Sequence, residues 1–225
     1  MPPRLIFPER AAAADVLTFA GRAARLGDGA VRLRATDGTL VVTSAPLAPR
    51  GLFDTTPTVL AMRVSPVDPE LQCDLVVEAS SLRADEGDAS ALLLPDTALA
   101  PSWAGVSPPR GGWESREPVA AATLAARAQW GIQAVAEAMP ADPGEDIVRT
   151  VRASVWGAPD DALGGLPLGA AFAAFAMGFI AGEEEAQSRV AAAWSRLTLS
   201  RGHILVRGPA RSGLTAVRRT GDARD

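Results

Sequence analysis

The sequence predicts an α+β fold: an antiparallel sheet of about five or six strands, packed on one side by a C-terminal helical layer. Three observations predict it. Residues 31–79 alternate apolar and polar with a period of two. Residues 118–197 change to the spacing of a helix. Between them, 80–117 is broken by Pro and Gly and shows no period. With 225 residues, 48% hydrophobic and 21% charged, the chain is long enough for one sizeable core. The terminal strands are expected to return to the sheet, so 1–225 reads as a single domain.

Taken in order, "PERAAAADVLTFAGRAARLG" predicts a helix over 9–26, with Val16, Ala20, Ala23 and Leu26 on one side and Gly27 as the stop. "VRLRATDGTLVV" then alternates Val31, Leu33 and Ala35 with Arg32 and Arg34, and it turns at Asp37-Gly38. An Asp-Gly between alternating runs is a strong hairpin signal. "TVLAMRV" at 58–64 and "CDLVVEA" at 73–79 add two strands, making 31–79 a four-strand meander. Arg32, Arg34, Arg63, Asp74 and Glu78 are the candidates for its wet face. A short strand is expected at 91–94.

Pro118 suits the first turn of a helix whose stripe is Leu124, Ala128, Ile132, Val135 and Met139. In "DPGED", Asp142 is the expected N-cap, Pro143 the first helical residue and Glu145 the partner of a capping box. Ile147, Val148, Val151 and Val155 would be that helix's buried side.

"LGGLPLGAAFAAFAMGFIAG", 163–182, carries no charge. A helix from Leu166 to Ala181 would be roughly 24 Å long, short of the roughly 30 Å of a bilayer core. A run apolar all round is then a core helix, with Phe172, Phe175 and Phe179 along one face. Helical spacing continues at 186, 190, 193 and 197, so 166–197 reads as one long helix or two meeting at Gly182. The end predicts a hairpin over 203–218, with strands near 203–207 and 214–218.

Composition excludes several chemistries. All 22 basic residues are Arg, and Lys, Asn and Tyr are absent, the usage of a GC-rich bacterial genome. Without Lys there is no Schiff base, Walker lysine or Ser–Lys dyad. One His and one Cys leave no zinc site of the usual kind, and no internal disulfide. No metal site and no cofactor is expected. Glu9 and Asp15 interrupt any export-signal core, so the expected location is cytoplasmic. A net charge of −4 and a pI near 5.1 argue against a nucleic-acid module, although the segment from Arg201 onward is locally basic. Membrane association is not expected either.

No catalytic residue is assigned. In the irregular segment, Trp103, Arg110, Trp113 and Arg116 supply flat apolar area and guanidinium donors, the chemistry of binding hot spots. The simpler reading of the two tryptophans is a plug folded back over the sheet. The first reading is therefore a non-catalytic protein acting by protein–protein interaction or self-association. The alternative is a small-ligand-binding protein or enzyme that uses Arg and carboxylate groups, with His203 as the candidate acid/base. Cys73 reads as a small core residue, and Asp85, Glu86 and Asp88 as turn chemistry rather than a cation loop.

Overall fold

The computed structural model describes residues 4–51 and 53–208. In chain order the elements are β1 (Arg4–Ile6), α1 (Arg10–Ala23), β2 (Ala30–Thr36), β3 (Thr39–Leu47), β4 (Thr58–Pro66), β5 (Cys73–Glu78), β6 (Arg83–Ala84) and β7 (Ala91–Leu93). They continue with β8 (Glu114–Ser115), β9 (Val119–Ala120), α2 (Ala121–Ala138), α3 (Glu145–Gly157), α4 (Gly169–Ala176), β10 (Glu185–Ala191), β11 (Trp194–Leu199) and β12 (Gly202–Arg207). The fold is α+β. Its main sheet has nine strands in the order β5-β2-β3-β4-β12-β11-β10-β8, with β9 also on β10; β1, β7 and β6 form a separate three-stranded sheet.

The first hairpin follows its sequence signal. Thr36 pairs with Thr39, and Asp37 and Gly38 both take positive φ, 48° and 73°, as a two-residue primed turn requires. Alternation along the strands then creates two faces. Val31, Leu33, Val42, Ala61, Leu197 and Ile204 point into the large core, where α1 and α4 cover them. Ala30, Leu60, Val76 and Leu205 point the other way, under Trp103 and Trp194.

Several expectations are corrected. Strands 31–79 do not form a simple meander, because β5 pairs with β2 rather than β4. The connection crosses the hairpin tip, where Val67 N–H donates to the Gly38 carbonyl and Asp68 N–H to Ile6. The chain is thereby delivered to the free edge of β2, and the arrangement is a Greek key. Arg63 lies on the helical face and pairs with Asp15 of α1, whereas Arg32, Arg34, Asp74 and Glu78 occupy the opposite face.

The helical expectation over 118–197 holds only to Ala176. Gly178 and Gly182 take positive φ and end the run, and 185–199 is the hairpin β10–β11. Ala-rich composition favoured helix there. The backbone of β12 on one side and of residues 114–120 on the other supplies sheet partners that propensity does not register. Pro118 precedes β9 instead of opening α2, and the Ala121 N–H goes to the Glu184 carbonyl. Asp142 does not cap α3. Gly144 stands there without a side-chain bond, and Glu145 and Asp146 bring negative charge to the first turn and pair with Arg149.

The stripes also shift. Ile132 and Ile147 are exposed, and the large buried side chain of α3 is Trp156. The uncharged run is a core element as expected: Ala170, Ala171, Ala173, Ala174 and Phe179 are sealed from solvent, and of its large side chains only Phe175, 40% exposed, turns out of it. The second strand of the expected terminal hairpin, 214–218, lies outside the described residues.

Candidate functional site

Residues 95–113 cross the sheet face that the helices leave uncovered, and two tryptophans fasten the crossing. Trp103 is 4% exposed, in a short 3-10 turn over Ser102–Gly105. Its indole N–H donates to Asp28 Oδ2 at 2.7 Å, while Asp28 Oδ1 accepts the Ala30 N–H at 3.1 Å. Next to it, Arg32 reaches up from β2 to donate to the Ala104 carbonyl at 2.6 Å. The same guanidinium donates to both oxygens of Asp74, at 2.7 and 2.8 Å. That bidentate pair holds the Asp74 carboxyl below the ordinary 3.8 and raises Arg32.

At the far end, the Trp113 indole N–H donates to the Pro109 carbonyl at 3.1 Å, and the Arg196 guanidinium stacks 4.6 Å from its ring centroid. Ser115 and Glu114 then join β10. Residues 106–112 thus form a strap tied at both ends, with Gly112 at φ 74° making its last bend.

Between strap and sheet lies a groove of about 860 Å³, lined by Arg34, Val41, Met62, Trp113, Arg110 and Arg196 among others. Arg196 is its least satisfied member. Its Nε is buried without a hydrogen-bond partner, and its cross-strand neighbour on β10 is another cation, Arg189. Burial lowers the Arg196 pKa, and Arg189 lowers it further.

Three of the four sequence candidates, Trp103, Arg110 and Trp113, therefore meet at one groove. Trp103 serves there as a plug, being buried, while Trp113 is half-buried and Arg110 exposed. Arg116 does not join them. It lies beyond the edge of β10, with its N–H on the Ser188 carbonyl and its side chain 3.6 Å from Glu114. Arg34, Met62 and Arg196 were missed by sequence reasoning. Strand alternation in "WSRLTL" is the signal that sets Arg196 on the face opposite Leu197.

His203, the candidate acid/base, lies outside the groove. It lines an open cleft of about 610 Å³ with Asp15, Arg63 and Ser200, yet its Nδ1 contacts the Thr198 hydroxyl at 3.0 Å, not a carboxylate. Asp15 is engaged by Arg63. Burial, then the nearby Arg196, push the imidazole below its ordinary 6.5, which keeps it neutral at pH 7. Cys73 packs against the core with its thiol pushed up by burial. Asp85 and Asp88 accept backbone N–H bonds of their own turn. Among the described residues, no three His, Cys, Asp or Glu gather as metal ligands, and no helix is long and apolar enough to cross a membrane.

Residues 1–105 match the family described as Domain of unknown function (DUF8010), and residues 108–211 match Domain of unknown function (DUF8185). No curated protein matches the chain. Among solved structures, the chain is similar to the DNA polymerase sliding clamp from Caulobacter crescentus, with 12% identity over 99% of this chain and 70% of that one, at a TM-score of 0.46. It is also similar to the DnaN sliding clamp (DNA polymerase III subunit beta) from Bartonella birtlesii bound to griselimycin, with 12% identity over 99% and 67%, at a TM-score of 0.49.

Proposed function

We propose that this is a non-catalytic cytoplasmic protein that works by holding a protein partner, and that it does so in the strapped groove. The observation that carries the reading is the groove itself. It is a preformed trough of about 860 Å³ lined by two tryptophans, a methionine and four arginines. Aromatic and guanidinium groups supply large contact area and directional donors at modest entropic cost, the usual make-up of protein-binding anchors. Strap and floor are already tied together by the Trp103–Asp28 and Arg32–Ala104 bonds and by Arg196 stacked on Trp113, so little ordering cost is left for binding. A reaction would need a base poised beside a nucleophile or a developing charge. The groove lining has no His or Cys.

A photo-crosslinking amino acid at Val106, in the strap, tests this against the same group at Ala126, exposed on α2. The expected result is one discrete protein adduct from position 106, absent from position 126 and lost in a folded Trp113→Ala variant. The same adducts from both positions, or none, would overturn the reading. An adduct of twice the chain mass would identify the partner as a second copy.

A further inference from the structure

The groove also carries information about what it holds, provided that it is the binding site. From the structure we infer that its occupant is an extended acidic peptide segment of about six residues, with carboxylates at both ends and apolar side chains between.

The charge distribution is the first support. The protein carries a net −4, yet Arg32, Arg34, Arg110 and Arg196 line the groove against Asp37 alone. Asp74, beside the groove, is engaged by Arg32. Among the described residues, Arg34, Arg110, Arg189 and Arg196 form no ion pair. The cations are divided. Arg34 stands on β2 at one end; Arg196 stands on β11 at the other, backed by Arg189. Val41, Leu60, Met62 and Leu205 lie between them on β3, β4 and β12. The floor is thus cationic, apolar and cationic in sequence across the sheet.

Its length is the second support. From β2 to β11 there are four strand-to-strand steps, roughly 19 Å in all, and an extended chain covers that distance in about six residues. A carboxylate at the β11 end would place an acceptor beside the Arg196 guanidinium, which forms no ion pair among the described residues, and charge-assisted bonds to arginine are among the strongest available. Stacking on Trp113 leaves the edge of the Arg196 guanidinium as the part that can donate.

Fluorescence anisotropy with a labelled hexapeptide, Asp-Glu-Leu-Leu-Glu-Asp, tests the inference against its neutral counterpart, Asn-Gln-Leu-Leu-Gln-Asn. Saturable binding of the acidic peptide, weakened about tenfold in the neutral one and in Arg196→Gln, is expected. Arg110→Gln should weaken it too, and Arg83→Gln, exposed on β6, should not. If Arg196→Gln does not fold by circular dichroism, the exposed Arg110 variant decides. Equal binding of both peptides, or indifference to Arg110, overturns the inference. So does equally tight binding of a thymidine hexanucleotide, which would assign the cations to a phosphate backbone. The two readings fail separately. A Val106 adduct that the acidic peptide does not displace refutes the acidic occupant and leaves the protein-binding groove standing. Absence of the adduct removes both.

Discussion

Arg196 and Trp103 show how position on one strand or turn decides a side chain's work. Trp103 has given its ring to the core and its N–H to Asp28. Its replacement by Ala therefore removes buried aromatic area, at a cost of about 3–5 kcal/mol, read as a lowered urea midpoint. Trp113→Ala, at a half-buried ring, should lower the midpoint much less and act on binding instead. His203 gives a pH prediction at this same scale. Its folded pKa lies below 6.5 because burial, and then Arg196, penalise the imidazolium. The unfolded chain therefore binds more protons in that window, and stability must rise with pH there. The contribution is fully present above the unfolded value and is lost as pH falls from about 6.5 toward the folded one. Denaturation midpoints measured from pH 7.5 down to 5 should fall in the wild type and flatten in His203→Gln. Equal slopes in the two proteins would refute the assignment. Trp103 and Trp113 were conspicuous in the sequence as large rings in an aperiodic stretch. Which of them plugs and which lines a groove was not legible, because both belong to the same composition.

At the scale of elements, the close approach of α2 to α3 sets local propensity against packing. Gly131 lies mid-helix, where Ala is favoured by about 1 kcal/mol. A Cβ there would overlap the Trp156 ring and come within 2.8 Å of Leu168. Overpacking of that kind costs about 1–3 kcal/mol, so Gly131→Ala should lower the melting temperature despite the helix preference. A rise would show that α3 yields easily. Gly202 is a second such point, since a Cβ would meet the Phe179 ring at 2.6 Å. That contact explains how the end of the uncharged run seats against β12. Elements with self-contained signals were legible: α1, and the Asp37-Gly38 hairpin with both of its strands. The β10–β11 hairpin was not. Its Ala-rich stretch satisfies helical spacing as well as alternation, and the sheet partners that choose between them lie elsewhere in the chain.

At the scale of the whole molecule, β4 and β12 join the two halves through five paired positions, from Thr58↔Arg207 to Met62↔His203. The chain is proposed to unfold as one unit, although its two family matches divide between residues 105 and 108. The residue distribution allows a direct check. The single Cys, Cys73, reports on the first half, and four of the five Trp, from Trp113 onward, report on the rest. Thiol accessibility and tryptophan fluorescence should follow one coincident denaturation curve. Two separated transitions would make it two units.

What the residues alone determined is what depends on near neighbours. The strand alternation of the first half, the primed turn, the first helix and the burial of the uncharged run follow from patterns a few residues long. The absence of Lys and the lone His and Cys likewise follow from counting. Only the tertiary structure decided that β5 returns to β2, that 185–199 is strand, and that Arg34, Met62, Trp113 and Arg196 share one trough. Those outcomes rest on backbone pairing and on charges brought together across long stretches of chain, and no local period records which distant edge a strand will join.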